Sequence, residues 1–97
     1  MQVIIQKSNR VGKKYMARVN EKTVHFGAMG YEDYTTHKDE KRKASYLARH
    51  RTKEDWTLGG VDTAGFWARW LLWNKPSITS SIRDINQRFT TLNVSMR

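Results

Sequence analysis

Residues 63–73 read TAGFWARWLLW, from Thr63 to Trp73, with three tryptophans and a phenylalanine. Wound as a helix at about 100° per residue, Phe66, Trp70 and Trp73 share one side and Trp67 lies next to them. Ala64, Ala68, Leu71 and Leu72 carry the apolar surface most of the way round, and only Gly65 and Arg69 interrupt it. A helix that is apolar on nearly every side is buried on nearly every side. Two arrangements meet that demand. Either the remainder of the chain wraps the helix, or another protein completes its burial by docking on Phe66, Trp67, Trp70, Trp73 and the nearby Trp56, as aromatic anchors do at interfaces.

The flanks mark where this helix begins and ends. Upstream, Gly59-Gly60 reads as a flexible joint and Asp62 or Thr63 as the N-cap. Downstream, Asn74-Lys75-Pro76 ends it, because the residue before a proline is pushed out of the helical region. Ser77 then opens a further helix in which Ile78, Ile82, Ile85 and Phe89 fall within about 60° of arc. Ser80, Arg83 and Gln87 face water there. Thr90 to Arg97 reads as extended, with Leu92 and Val94 on alternate positions.

Toward the N-terminus the pattern changes to β. Val3-Ile4-Ile5, Tyr15 to Val19 and Thr23 to Phe26 predict three short strands, joined by turns at Ser8 to Gly12 and Asn20 to Lys22. Gly27-Ala28-Met29-Gly30 breaks the strand pattern, and Tyr31 to Thr35 reads as loop. A helix follows over 36–53, opened by Thr36 with Asp39 as a weak capping box. Its narrow apolar side is Ala44, Leu47 and Ala48. Arg42, Ser45, Tyr46 and Arg49 turn outward, flanked by Lys43 and His50. The expected fold is α+β in one domain, 1–97: a small N-terminal antiparallel β-meander (1–26) followed by three helices, the basic one (36–53) and the Trp-rich and Ile-stripe pair (63–89).

Composition narrows the function. There is no cysteine among the 97 residues, which removes disulfides, thiolate chemistry and cysteine-based zinc sites. The longest apolar run is too short for a bilayer, and MQVIIQK lacks the basic and apolar regions of a signal peptide, so no membrane insertion is expected. His25, His37 and His50 show no paired i, i+4 spacing, and no metal or other cofactor is expected. Neither G-x-S-x-G nor S-x-x-K occurs, GAMG is a turn rather than a dinucleotide fingerprint, and Glu32 and Asp33 are adjacent. The expectation is a protein that is no enzyme, with no catalytic residues and no small-molecule substrate. A nucleic-acid-processing activity built on Tyr46, His50 and the neighbouring arginines is the weaker alternative.

Net charge is +9, and it is unevenly spread: +5 over residues 1–22, +5 over 36–53, and close to neutral from residue 54 onward. A cationic face favours nucleic acid or an acidic protein. Lys41, Arg42, Lys43, Arg49 and Arg51 are the candidate phosphate contacts, with Tyr15, Tyr31, Tyr34 and Tyr46 as candidate stacking surfaces between them. Neutralising about five phosphates would give a log K against log salt slope of about −4 to −5.

Two blocks carry a family resemblance. HFGAMGYEDYTTHKDEKRKASYLARH (His25–His50) and TAGFWARWLLWNKPSITSSIRDINQRF (Thr63–Phe89) resemble small basic proteins encoded by large double-stranded DNA viruses of eukaryotes. The signatures are FGA-x-GY-x-D(Y/F)T-x-HKD and RW-(I/L)-LWNKP-(S/T). Residues 1–22 and 90–97 lie outside the resemblance. It implies a minor capsid protein beneath the capsomers or a basic protein that meets the genome. The expectation is a non-enzymatic structural component of a virus particle, of minor capsid or cement type. Its partners would be other virion or capsid proteins, and it would reside in the virion and, during assembly, in host cytoplasm or nucleus. The alternative is a basic DNA-binding protein that contacts phosphates through its basic helix.

Overall fold

Alternating apolar residues build the sheet. In the computed structural model, which describes residues 1–97, β1 (Gln2–Lys7), β2 (Lys13–Val19) and β3 (Lys22–Ala28) form the expected antiparallel meander. The register opposes Val3 to Val19, Ile5 to Ala17, Ala17 to Val24 and Tyr15 to Phe26, which places these residues on one face. Asn20 closes the second hairpin in the left-handed conformation that asparagine tolerates.

The tail does more than extend. Asn93–Met96 forms β4, which pairs in parallel with β1 and gives the sheet order β3-β2-β1-β4. Val94 sits opposite Val3 and joins the apolar face, while Asn86 brackets the Val94 backbone with two side-chain hydrogen bonds. A parallel partner needs a long crossover, and here that crossover is the entire helical half of the chain.

The helices cover that face. The expected helix over 36–53 is two pieces: α1 (Tyr34–His37) and α2 (Glu40–His50), separated by Lys38 in a left-handed conformation. Asp39 is the true N-cap, accepting from the backbone N–H groups of Lys41 and Arg42. Next, α3 begins as an α-turn at Ala64–Trp67, capped by Thr63, and continues as a π-helical turn over Ala68–Leu72. The Trp73 N–H closes that turn on the Ala68 carbonyl, five residues back. The wider turn takes Trp70, Leu71 and Leu72, three consecutive residues, out of water. Ser77 caps α4 (Ile78–Arg88) as expected, and Ile85 is fully enclosed beneath it.

Gly59-Gly60 is no flexible joint. Leu58–Gly60 is a short 3₁₀ turn, and a side chain at Gly60 would collide with the Asp55 carbonyl oxygen. The glycine is there for close approach. No helix is long and apolar enough to cross a membrane.

Candidate functional site

The tryptophan helix is answered from within the chain. Phe66 and Trp67 retain 0% exposure and Trp70 8%, and they join Val3, Ile5, Phe26, Leu71 and Ile85 in one core. Trp67 lies against Phe26 of the sheet, while Phe66 and Trp70 meet Phe89 from the other side. The indole N–H groups are satisfied too: Trp67 donates to the Val61 carbonyl and Trp70 to the Trp56 carbonyl, at 2.7 and 2.8 Å. Arg69, the one charge in the stretch, spreads its guanidinium over the Trp70 and Trp56 rings and donates to the Trp73 carbonyl. Of the expected interface at Phe66, Trp67, Trp70, Trp73 and Trp56, this corrects Phe66, Trp67 and Trp70. The first three have almost no surface to offer a partner, and Trp56 and Trp73 are half-covered by their own chain. The sheet face and α4 together supply the enclosure that a single helix seemed to require.

Trp73 departs from the side it was expected to share with Phe66. The π-turn swings it toward α2, where it stacks on Tyr46 at 4.2 Å between centroids. His50 stacks on Tyr46 from the opposite side, also at 4.2 Å, giving a three-ring pile. This rolls α2 away from the expected orientation. Ala44 and Ala48 face water and Tyr46 is 8% exposed, because a tyrosine ring buries far more apolar area than an alanine methyl. Burial also pushes the Tyr46 phenol well above its ordinary value, with Glu54 adding to the effect.

The rolled helix forms one wall of a cleft of about 700 Å³. Lys41, Arg42, Ser45, Tyr46, Arg49 and His50 supply that wall. The opposite wall is Lys14, the end of β3 at Gly27 and Ala28, and Tyr31, Glu32 and Asp33 of the β3–α1 loop, and the floor is Ala68, Leu72 and Trp73. Gly27 is required here: its φ is +81°, and a Cβ would stand 2.9 Å from Leu72 Cδ1.

The loop is held at both ends. Met29 N–H donates to the Gly12 carbonyl, tying it to the first hairpin turn. Asp33, almost fully buried, accepts from Lys14 Nζ at 2.7 Å and from the Thr35 backbone N–H, so it both caps α1 and pins the loop to β2. Glu32 reaches Arg42 across the cleft mouth at 3.4 Å. Lys14 and Arg42 are therefore paired, which leaves Lys41 and Arg49 as cleft cations without a carboxylate partner. His50 contacts Glu54 at 3.3 Å.

Of the expected phosphate contacts, Lys41, Arg42 and Arg49 come together at the cleft, and Tyr46, expected as a stacking surface, lines it with both ring faces already covered by Trp73 and His50. Lys43 does not. Its ammonium lies over the Tyr34 ring and donates to the Asn74 carbonyl at 2.6 Å, bracing α2 against the end of α3, and burial lowers its pKa. Arg51 lies past the end of α2 and lines no part of the cleft. On the opposite wall the sequence offers Tyr31 as a stacking surface, while Lys14 and Glu32 carry no signal for the site. Nothing local in the sequence marks a loop that folds back over a helix eight residues later. Nowhere in the chain do three or more histidine, aspartate or glutamate side chains gather in a way that suits a metal ion.

Residues 3–50 match the model of a family of unknown function (DUF5754), a stretch that spans the meander, α1 and α2. No curated protein and no solved structure matches the chain.

Proposed function

We propose that this chain is a non-enzymatic nucleic-acid-binding protein that holds phosphates in the basic cleft between α2 and the β3–α1 loop. The observation that carries the reading is the pairing pattern inside the cleft: Lys41 and Arg49 face it unpaired, and Arg42 is held only by an exposed ion pair. Exposed ion pairs contribute little, so a phosphate group displaces Glu32 from Arg42 at small cost. Guanidinium groups match phosphate oxygens in a two-pronged geometry, which favours phosphate over an isolated carboxylate.

Binding is favoured over catalysis by the state of the reactive groups. Asp33 is consumed by Lys14 and by its capping role, and the Tyr46 phenol is both hard to ionise and covered on its two faces. The setting, a particle of a large double-stranded DNA virus, rests on the sequence resemblance. Within that setting the enclosed tryptophan helix favours contact with the genome over packing against coat subunits. The test is fluorescence anisotropy with a labelled DNA oligonucleotide. Arg49→Glu together with Lys41→Glu should weaken binding by roughly tenfold or more at low salt, because each reversal removes one phosphate contact and adds a repulsion. Unchanged affinity would reject the cleft as the site.

A further inference from the structure

Of the four tyrosines, Tyr34 and Tyr46 are buried and Tyr15 is partly buried against the core. Tyr15 is stacked on Phe26, Tyr34 lies under the Lys43 ammonium, and Tyr46 is sandwiched between Trp73 and His50. Tyr31 is the exception. It is 74% exposed, yet it lines the same cleft as Arg42 and Arg49, from the facing wall. A large aromatic ring left in water on an irregular segment ordinarily has little fixed orientation. Here the segment is clamped: the Tyr31 N–H donates to the Ala28 carbonyl, Met29 is tied to Gly12, and Asp33 is pinned by Lys14. The ring is thus presented on a braced loop, across the cleft from cations.

We infer that the cleft takes single-stranded nucleic acid, with one unpaired base on the Tyr31 ring and its flanking phosphates on Arg49, Lys41 and Arg42. The inference rests on the nucleic-acid reading above and names its strand form. The cleft is concave, about 700 Å³, and is lined by both Tyr31 and the cations Lys41, Arg42 and Arg49. In a duplex the bases are stacked on one another, and bringing one to Tyr31 means unstacking and unpairing it first. A single strand exposes base faces and phosphates together, and aromatic rings beside a cationic groove are what such strands recognise. Glu32 then acts as an internal competitor: its carboxylate holds Arg42 at 3.4 Å until a phosphate takes its place.

The experiment measures anisotropy of the full chain with an oligothymidylate of about twelve nucleotides, the same length of abasic phosphodiester strand, and a duplex of matched length. Oligothymidylate should bind most tightly, and Tyr31→Ala should weaken it roughly 5- to 100-fold while leaving the abasic strand unaffected. Glu32→Gln should strengthen binding roughly 2- to 5-fold, and that gain should shrink when Arg42 is also changed to Gln. Tyr31 is exposed and its backbone bonds survive the substitution, so circular dichroism should report an unchanged fold. Equal binding of duplex and oligothymidylate, or no effect of Tyr31→Ala, overturns the single-strand inference while leaving phosphate binding at Arg49 intact. Binding to none of the three probes overturns both readings.

Discussion

Trp73 and Tyr46 lie face to face, 4.2 Å apart and within 2° of parallel, and this stack joins the Lys43 brace in holding α2 beside the core. The second helix has few other apolar holds, since Ala44 and Ala48 are turned to water. Removing the ring should therefore loosen the cleft wall as well as the fold. Tyr46→Ala is expected to cost about 2–4 kcal/mol in urea denaturation, by lost burial and lost stacking. Tyr46→Phe should cost far less, because the hydroxyl has no hydrogen-bond partner in the protein. Equal losses for the two variants would show that the stack is not the hold.

Enclosure of the tryptophans makes a separate claim. In the isolated protein, emission should be shifted to the blue and only weakly quenched by iodide, since Trp67 and Trp70 are shut away from solvent and Trp56 and Trp73 half-covered. Trp67→Ala should destabilise by about 3–5 kcal/mol, as for other large core aromatics. Strong quenching that vanishes only on adding a second protein would restore a docking role for that helix.

Alkaline pH offers a test of the Tyr46 environment. Burial raises its pKa above the ordinary 10.0, so the folded state holds the proton more tightly than the unfolded chain. The resulting stability is fully present below pH 10.0 and is lost as pH rises toward the folded-state value. Tyr34 shifts the same way, through its hydrogen bond to Glu40. Melting temperature followed from pH 8 to 11 should stay level and then fall. Tyr46→Phe should reduce the fall, and adding Tyr34→Phe should reduce it further. A fall indifferent to both substitutions would contradict the assignment.

Much of the fold is legible in the sequence, and the losses have identifiable causes. Period-two alternation marks the three N-terminal strands, and the Ile stripe with Ser77 marks α4, because both signals are local. The β4 strand is only four residues long and pairs with residues some ninety positions away, which no window along the chain contains. The tryptophan helix misled in another way. Its hydrophobicity is real, but burial depends on how much surface the sheet and α4 can bring to it. That quantity is tertiary. The basic helix was found, but its roll was not: the choice between Ala44/Ala48 and Tyr46 as the inner face depends on Trp73, and Trp73 points to α2 only because the chain adopts a π-turn. Three of the five expected phosphate contacts still converge, since Lys41, Arg42 and Arg49 lie within about two turns of one helix.

The most direct measurement is the salt dependence of oligonucleotide affinity for the wild-type chain and for Arg42→Gln/Arg49→Gln. Three cleft cations, Lys41, Arg42 and Arg49, should give a log K against log salt slope of about −2 to −3, shallower than the five-phosphate value expected from sequence because Lys43 and Arg51 are directed elsewhere. In the double variant the slope should flatten by about 1.5 as two contacts disappear. Affinity that ignores salt, or a slope that the two substitutions leave untouched, would contradict phosphate binding in the cleft.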